Sequence, residues 1–311
     1  MSFHGLGKII LLGEHAVVYG YPALAAALDR GVRVGAVPTP AGGTLRVDIP
    51  SWNVKLTVDD DHPLALALGA IADKLELGRP PVTLVGEAQI PAGAGLGASA
   101  AFAVAIARAL VDVRDRRIAT AGGATMPATL GEITAAANAS EQLIHGRASG
   151  VDVALAASGG IGVFRKASGL RPLQAGLRIL VGPSGAQRST AAMVERVATA
   201  CASSADDPRL HELGALTDAG TIALLQGDHA ALGAAMDRAH ALLGELGVST
   251  PLLDGLCEAA RRVGAYGAKL TGAGGGGAVI AIAPRDKEND VLTAWRAAKV
   301  DGFVAKVGNL Q

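Results

Sequence analysis

A fold that mixes α-helices with β-strands, in two packed domains, is what the sequence predicts. Segments of β-branched and aliphatic residues alternate with long Ala-rich stretches, a pattern of mixed proteins rather than of sandwiches or bundles. Half of the 311 residues are hydrophobic, enough to bury more than one core.

Residues 8–12 and 31–37 read as strands, and residues 21–28 between them, Ala-rich and opened by Pro22, as a short helix. Residues 46–49 and 54–58 resemble a strand pair, residues 64–75 a helix, and residues 82–90 an alternating strand that ends at a Gly-rich turn beginning with Pro91. Ser99 can cap a helix running to about residue 113, followed by a polar connection over 114–129. A second helix is expected over 130–145, stopped by Gly146. A strand at 177–181 opens a second unit, with helices near 191–202, 210–225, 230–246 and 252–263 before the last strands. No fixed-period repeat is present, which argues against a solenoid.

Composition excludes several classes. Lysine plus arginine and aspartate plus glutamate number 28 each, so no global field favours a polyanion, and nucleic acid is not an expected partner. Phosphate binding must come from local groups. Cys201 and Cys257 lie in helix-like stretches without metal-ligand spacing and read as buried thiols. Lys8, Glu14 and His15 interrupt the apolar N-terminal run, which argues against a secretory signal and for a cytoplasmic location. The most apolar window, 92–107, is Gly-rich at its start and too short to span a bilayer, so no membrane segment is expected.

Three glycine-rich segments carry the chemistry. In Gly7-Lys8-Ile9-Ile10-Leu11-Leu12-Gly13-Glu14-His15-Ala16-Val17-Val18-Tyr19-Gly20, charged residues flank a buried-type strand. Lys8 and Glu14 must therefore face solvent or meet opposite charge. Pro91-Ala92-Gly93-Ala94-Gly95-Leu96-Gly97-Ala98-Ser99 lies between a strand and a helix, where free N–H groups and the positive end of the helix dipole attract an anion. It lacks the Lys-Ser/Thr ending of a Walker A loop, and packing alone also produces Gly-rich turns. In Lys269-Leu270-Thr271-Gly272-Ala273-Gly274-Gly275-Gly276-Gly277, four successive glycines before the strand 278–283 suggest close approach to a ligand or to another backbone. A flexible hairpin loop is the alternative.

In this order, the three segments resemble the signature motifs of the GHMP kinases over nearly the whole chain. Within that superfamily, Gly13-Glu14-His15-Ala16-Val17-Val18-Tyr19-Gly20 looks like mevalonate kinase, as do Glu141-Gln142-Leu143-Ile144-His145-Gly146 and Ser149-Gly150-Val151-Asp152. Two departures stand out: Leu6 replaces a frequent proline, and Ala98 the first serine of a Ser-Ser pair. By this resemblance the lost Ala98 hydroxyl would weaken a nucleotide contact, while Ser99 keeps the second hydroxyl.

The resemblance implies an α+β GHMP kinase fold. A domain like the second domain of ribosomal protein S5, which binds ATP, would occupy residues 1–175, and a ferredoxin-like domain residues 176–311, with the active site between them. It further implies ATP as phosphoryl donor and mevalonate as acceptor. Residues 91–99 would cradle the nucleotide, and Ser99 and Glu141 would hold Mg²⁺. Asp152 would accept the proton of the terminal hydroxyl, and Lys8 would pair with it and stabilise the attacking oxygen. Glu14 and His15 would face the acceptor or Lys8, and Thr190 and Gly274 the acceptor, whereas Lys269 and Thr271 are expected to contact loop backbone only.

Each role has a plainer competitor. Glu141 could be a solvated helix face, Asp152 a turn cap, His15 a hydrogen-bonded core histidine, and Ser189 or Thr190 a helix N-cap. Arg147, Arg165, Lys166 and Arg188 lie close enough to these segments to serve a phosphorylated acceptor in another GHMP enzyme. A nucleotide-binding sensor that has lost catalysis is disfavoured by the presence of Lys8, Ser99, Glu141 and Asp152 together. The family includes homodimers, and no interface is readable in this sequence.

Overall fold

A computed structural model describes residues 1–39, 43–125, 127–145, 150–186 and 189–308. They form two compact units, the first built from Met1–Gly7, Arg30–Ala92 and Gly97–Gly159, the second from Lys8–Asp29, Gly93–Leu96 and Gly160–Gln311. Strands β1 (Phe3–Leu12) and β2 (Ala23–Pro38) contribute residues to both.

In the first unit, β3 (Arg46–Ile49) and β4 (Val54–Thr57) form the expected antiparallel pair around a turn in which Asn53 adopts φ 54°. Helix α1 (Pro63–Lys74) starts where Nδ1 of His62 accepts from the Leu64 amide, with Pro63 at the first helical position. Strand β5 (Val82–Ala88) lies parallel to β3 and antiparallel to residues 32–38 of β2, in the order β4-β3-β5-β2. The helices α2 (Ala98–Thr120), α3 (Leu130–His145) and α4 (Val151–Ser158) complete this unit, α2 packing against α1, α3 and α4.

Helix α2 differs from expectation at both ends. Its N-cap is Gly97 rather than Ser99, and it continues to Thr120 through residues expected to be loop. Those polar residues are its exposed face: Arg116 pairs with Asp112 at 2.7 Å, one turn back, and Arg114 with Glu132 in the first turn of α3. Farther up, residues 100–107 are all buried, and the Arg108 guanidinium donates to the backbone carbonyls of His4 and, at 2.6 Å, Ala157.

The second unit contains the hairpin β6 (Ile161–Arg165) and β7 (Gly169–Leu173), not foreseen from the sequence, then β8 (Gly176–Pro183). Four helices follow: α5 (Thr190–Ala200), α6 (Pro208–Gln226), α7 (His229–Glu245) and α8 (Pro251–Arg262). Asp207, Asp228 and Thr250 cap α6, α7 and α8 by accepting from the amides of Arg209, Ala231 and Leu253, which is why their starts are readable. Strands β9 (Gly267–Thr271) and β10 (Ala278–Ile282), helix α9 (Glu288–Ala297) and strand β11 (Phe303–Gly308) end the chain.

The antiparallel order here is β2-β11-β8-β10-β9, with β6 also paired to β2. Helices α7 and α8 cover β9, and the buried Trp295 of α9 donates to the Leu256 carbonyl of α8 at 2.9 Å.

The helix expected over 21–28 is instead the start of β2. Residues 23–28 are all buried, and Ala23–Ala26 pair with Phe164–Ile161 of β6. Alanine's helix preference amounts to a few tenths of a kcal/mol per residue, which two covered faces and a sheet ladder outweigh. Cys201 and Cys257 are free and buried as expected, with burial pushing the Cys257 thiol up to about 12. No helix among the described residues is long and apolar enough to cross a membrane.

Candidate active site

Within the second unit, all three glycine-rich segments meet. The Lys8 amide of β1 donates to the Leu96 carbonyl at 2.9 Å, fastening the first segment to the second. A Cβ on Gly272 would lie 3.5 Å from the Gly95 carbonyl oxygen, and one on Gly277 3.2 Å from that of Ala94, so the third segment packs on the second. The Thr271 hydroxyl accepts from the Ile10 amide at 3.0 Å and donates to the Ile10 carbonyl at 2.9 Å, joining the third segment to the first.

Glu14 meets opposite charge. Its Oε1 accepts from Nζ of Lys269, and the two side chains are 1% and 0% exposed. Burial pushes the Glu14 carboxyl upward, against the pull of the Lys269 charge, and pushes the Lys269 ammonium downward, against that of Glu14. The expectation that Lys269 and Thr271 contact loop backbone only is thereby corrected. Lys269 does donate to the Leu270 carbonyl at 2.6 Å, but its charge is used on Glu14, and Thr271 grips strand β1. No local signal links Lys269 to Glu14, because 255 residues separate them.

His15 is buried, with Nε2 donating to the Ala273 carbonyl at 2.9 Å. Its backbone is left-handed at φ 61°, an uncommon conformation for a non-glycine residue, and burial lowers its imidazole pKa. The neutral ring fits the hydrogen-bonded core histidine weighed above, with Nδ1 as an acceptor.

The third segment is a hairpin loop between β9 and β10, yet its backbone is held. The Gly275 amide donates to the Val248 carbonyl at 2.7 Å, and the Gly277 amide to that of Ala186 at 2.7 Å. Ser184 donates to the Gly277 carbonyl through both its amide and its hydroxyl, each at 2.8 Å. Gly274 has φ 79°, and a Cβ there would stand 2.2 Å from the Val248 carbonyl oxygen. The approach of another backbone thus accounts for glycine at this position. Thr190 is the exposed first residue of α5, and Ser189 takes the cap, accepting from the Ala192 amide at 3.4 Å. Arg188 lies outside the described residues, as do Gly146, Arg147 and Ser149.

The turn from Pro91 to Ser99 has left-handed glycines at every second position: Gly93, Gly95 and Gly97 have φ 71°, 72° and 71°. Ala94 and Leu96 between them are buried, whereas Pro91, Gly93 and Gly95 are exposed. Such alternation is the pattern of a nest whose backbone N–H groups bind anions. No side chain caps α2 at Gly97, so the amides of Ala98 and the next two residues carry the partial positive charge of a 23-residue helix.

In the first unit, Ser99 lies one residue into α2, and its hydroxyl donates to Oε2 of Glu141 at 3.3 Å. Glu141 is 4% exposed, which rules out the solvated face. Asp152 is the second residue of α4, half-buried, and Gly150 rather than Asp152 holds the N-cap position.

The GHMP kinases N terminal domain model matches residues 64–160, and the GHMP kinases C terminal model residues 221–301. The mevalonate kinase of Thermococcus sibiricus is 35% identical in an alignment covering 96% of this chain and 94% of that protein. This chain belongs to the mevalonate kinase family of GHMP kinases. The structure of L. major mevalonate kinase in complex with R-mevalonate superposes with a TM-score of 0.82 at 25% identity, covering 99% of this chain and 96% of that one. The Methanococcus jannaschii mevalonate kinase gives the same TM-score and identity, over 99% and 98%. The α+β GHMP kinase fold expected from the motifs is the fold of this family.

Proposed function

We propose that this mevalonate kinase family member transfers the γ-phosphoryl group of Mg-ATP to the terminal hydroxyl of mevalonate, giving 5-phosphomevalonate and ADP for isoprenoid biosynthesis in the cytoplasm. The observation that carries the reading is the meeting of the three signature segments in a chain with near full-length similarity to mevalonate kinases. Residues 1–175 form the ATP-binding domain in this reading and residues 176–311 the C-terminal domain. The separate family-model matches, which end at 160 and begin at 221, support a division there.

Phosphoryl transfer requires an aligned hydroxyl, neutralised triphosphate oxygens and a proton acceptor. The nest at 93–97 and the N-terminal turn of α2 receive the triphosphate. Ser99 and Glu141 offer a hydroxyl and a carboxylate oxygen on neighbouring helices, a donor set that fits Mg²⁺. An ion held by these two residues would supply positive charge to offset that of the triphosphate. Asp152 takes the proton from the terminal hydroxyl, and Lys8 stabilises the oxygen as it becomes nucleophilic. Glu14, His15, Thr190 and Gly274 form the acceptor side.

ADP release from Mg-ATP by the purified protein, with mevalonate, phosphomevalonate, homoserine and galactose offered separately, tests this. Turnover with mevalonate alone is expected. Turnover with another acceptor would keep the kinase and overturn the substrate, and none with any acceptor would overturn the activity.

A further inference from the structure

Lys269 takes no part in the chemistry above, yet it is a fully buried ammonium on β9. Burying an ion costs several kcal/mol unless a partner and hydrogen bonds compensate, and an apolar pair of similar volume is often at least as stable. A gain in stability over an apolar pair is therefore not a sufficient reason for two buried charges here.

Its surroundings point to positioning. Lys269 stands two residues before Thr271, which clamps Ile10, and four before Ala273, which receives His15. The Lys269–Glu14 pair is thus the charged rung among neutral ones that bind residues 10–15 to residues 269–273. The Glu14 carboxylate uses Oε1 on Lys269, while Oε2, also buried, has no hydrogen-bond partner among the described residues. Leaving an acceptor buried and unmatched costs about 1–3 kcal/mol, which a donor arriving with a ligand would relieve. The Lys269 charge acts on Glu14 more strongly than the nearby Lys8 charge does.

We propose that Lys269 is a positioning residue that acts through Glu14: the buried pair orients the carboxylate so that Oε2 receives the acceptor alcohol, and Lys269 itself touches no ligand. This rests on the kinase reading. Without Lys269, Glu14 would turn towards Lys8 or take up a proton, and the first glycine-rich segment would loosen from the third.

The test compares wild type with Lys269→Met, Glu14→Gln and the double variant Lys269→Met/Glu14→Gln, using whichever acceptor the wild type phosphorylates. Lys269→Met should raise the acceptor KM by about 10-fold or more while the ATP KM changes by less than about 2-fold. The double variant removes both charges, so it should regain the thermal stability that Lys269→Met loses, yet keep the raised acceptor KM. A double variant with wild-type acceptor KM and kcat would overturn the proposal and leave a purely structural pair. Amide hydrogen exchange over residues 13–20 provides a readout that needs no turnover. Faster exchange in Lys269→Met is expected whichever acceptor is used, and unchanged exchange overturns the proposal, while the acceptor KM of the double variant separates positioning from a purely structural pair.

Discussion

The Ser99 hydroxyl donates to Oε2 of Glu141 at 3.3 Å although 42 residues of chain separate the two. A serine near the start of one helix and a buried glutamate within the next thus offer oxygens to one space, as a divalent cation requires. Glu141→Gln keeps the shape and removes the charge. It should lower kcat by about 100-fold or more and shift the Mg²⁺ dependence of turnover to higher concentration, with Ser99→Ala acting in the same direction but less. A Mg²⁺ titration of initial rates checks this, and an unchanged dependence in Glu141→Gln would remove the metal assignment.

Asp152 carries the proton-acceptor role in the proposed reaction. Asp152→Asn should reduce turnover by about 10²- to 10⁴-fold, the span usual for loss of a general base, and leave nucleotide affinity largely intact. Equilibrium nucleotide binding beside steady-state rates separates the two effects. Wild-type-like turnover in this variant would sink the assignment.

Two left-handed glycines should respond differently to alanine. Gly227 caps α6 at φ 71° with nothing within 4 Å of a built Cβ, so Gly227→Ala should cost about 1 kcal/mol of backbone strain alone. At Gly274 the same strain is joined by a Cβ 2.2 Å from the Val248 carbonyl oxygen, and Gly274→Ala should cost about 3 kcal/mol in total. Chemical denaturation measures both. Equal losses would mean that the approach to Val248 does not constrain Gly274.

His240 provides a pH test. Its Nδ1 accepts from the Leu270 amide at 3.2 Å, which requires that nitrogen to be unprotonated, and Nε2 faces Asp254 Oδ1 at 3.1 Å. Cys257, Lys269 and Arg261 also act on it. Burial lowers its pKa, opposed by Asp254. The unfolded chain therefore binds this proton more readily than the folded one. The stability it contributes is present above the ordinary imidazole value of about 6.5 and is lost as pH falls from there through the lowered value. His240→Asn, which keeps an acceptor near Nδ1, should show a smaller loss of melting temperature than wild type between about pH 7.5 and pH 5.5. Parallel losses in the two proteins would rule out His240 as a source of the dependence.

The sequence by itself was sufficient for several helices whose starts are set within a few residues. The helices near 210–225, 230–246 and 252–263 stand where expected, and in the structure Asp207, Asp228 and Thr250 cap their starts. The three glycine-rich segments were legible because their motifs are local, and Glu141 lies in the helix expected over 130–145, whereas Gly97 rather than Ser99 caps α2 and the short helix α4 that carries Asp152 was not expected. Composition had also indicated the buried state of Cys201 and Cys257.

Tertiary structure decided what depends on distant surfaces. Residues 23–28 read as helix because alanine favours helices, and they became strand because both faces are covered and β6 offers a ladder partner. Helix α2 continues past residue 113 with its polar residues on an exposed face, where Arg116 pairs with Asp112 and Arg114 with Glu132 of another helix. The charge at Glu14 could be expected to need a partner, but only the fold could name Lys269, 255 residues away. Similarly, glycine at 274 was readable as close approach, while the approaching atom, the Val248 carbonyl oxygen, was not. Local propensities amount to tenths of a kcal/mol and act over a turn or two, whereas burying charge or excluding a Cβ involves several kcal/mol and is settled by whichever segments pack together.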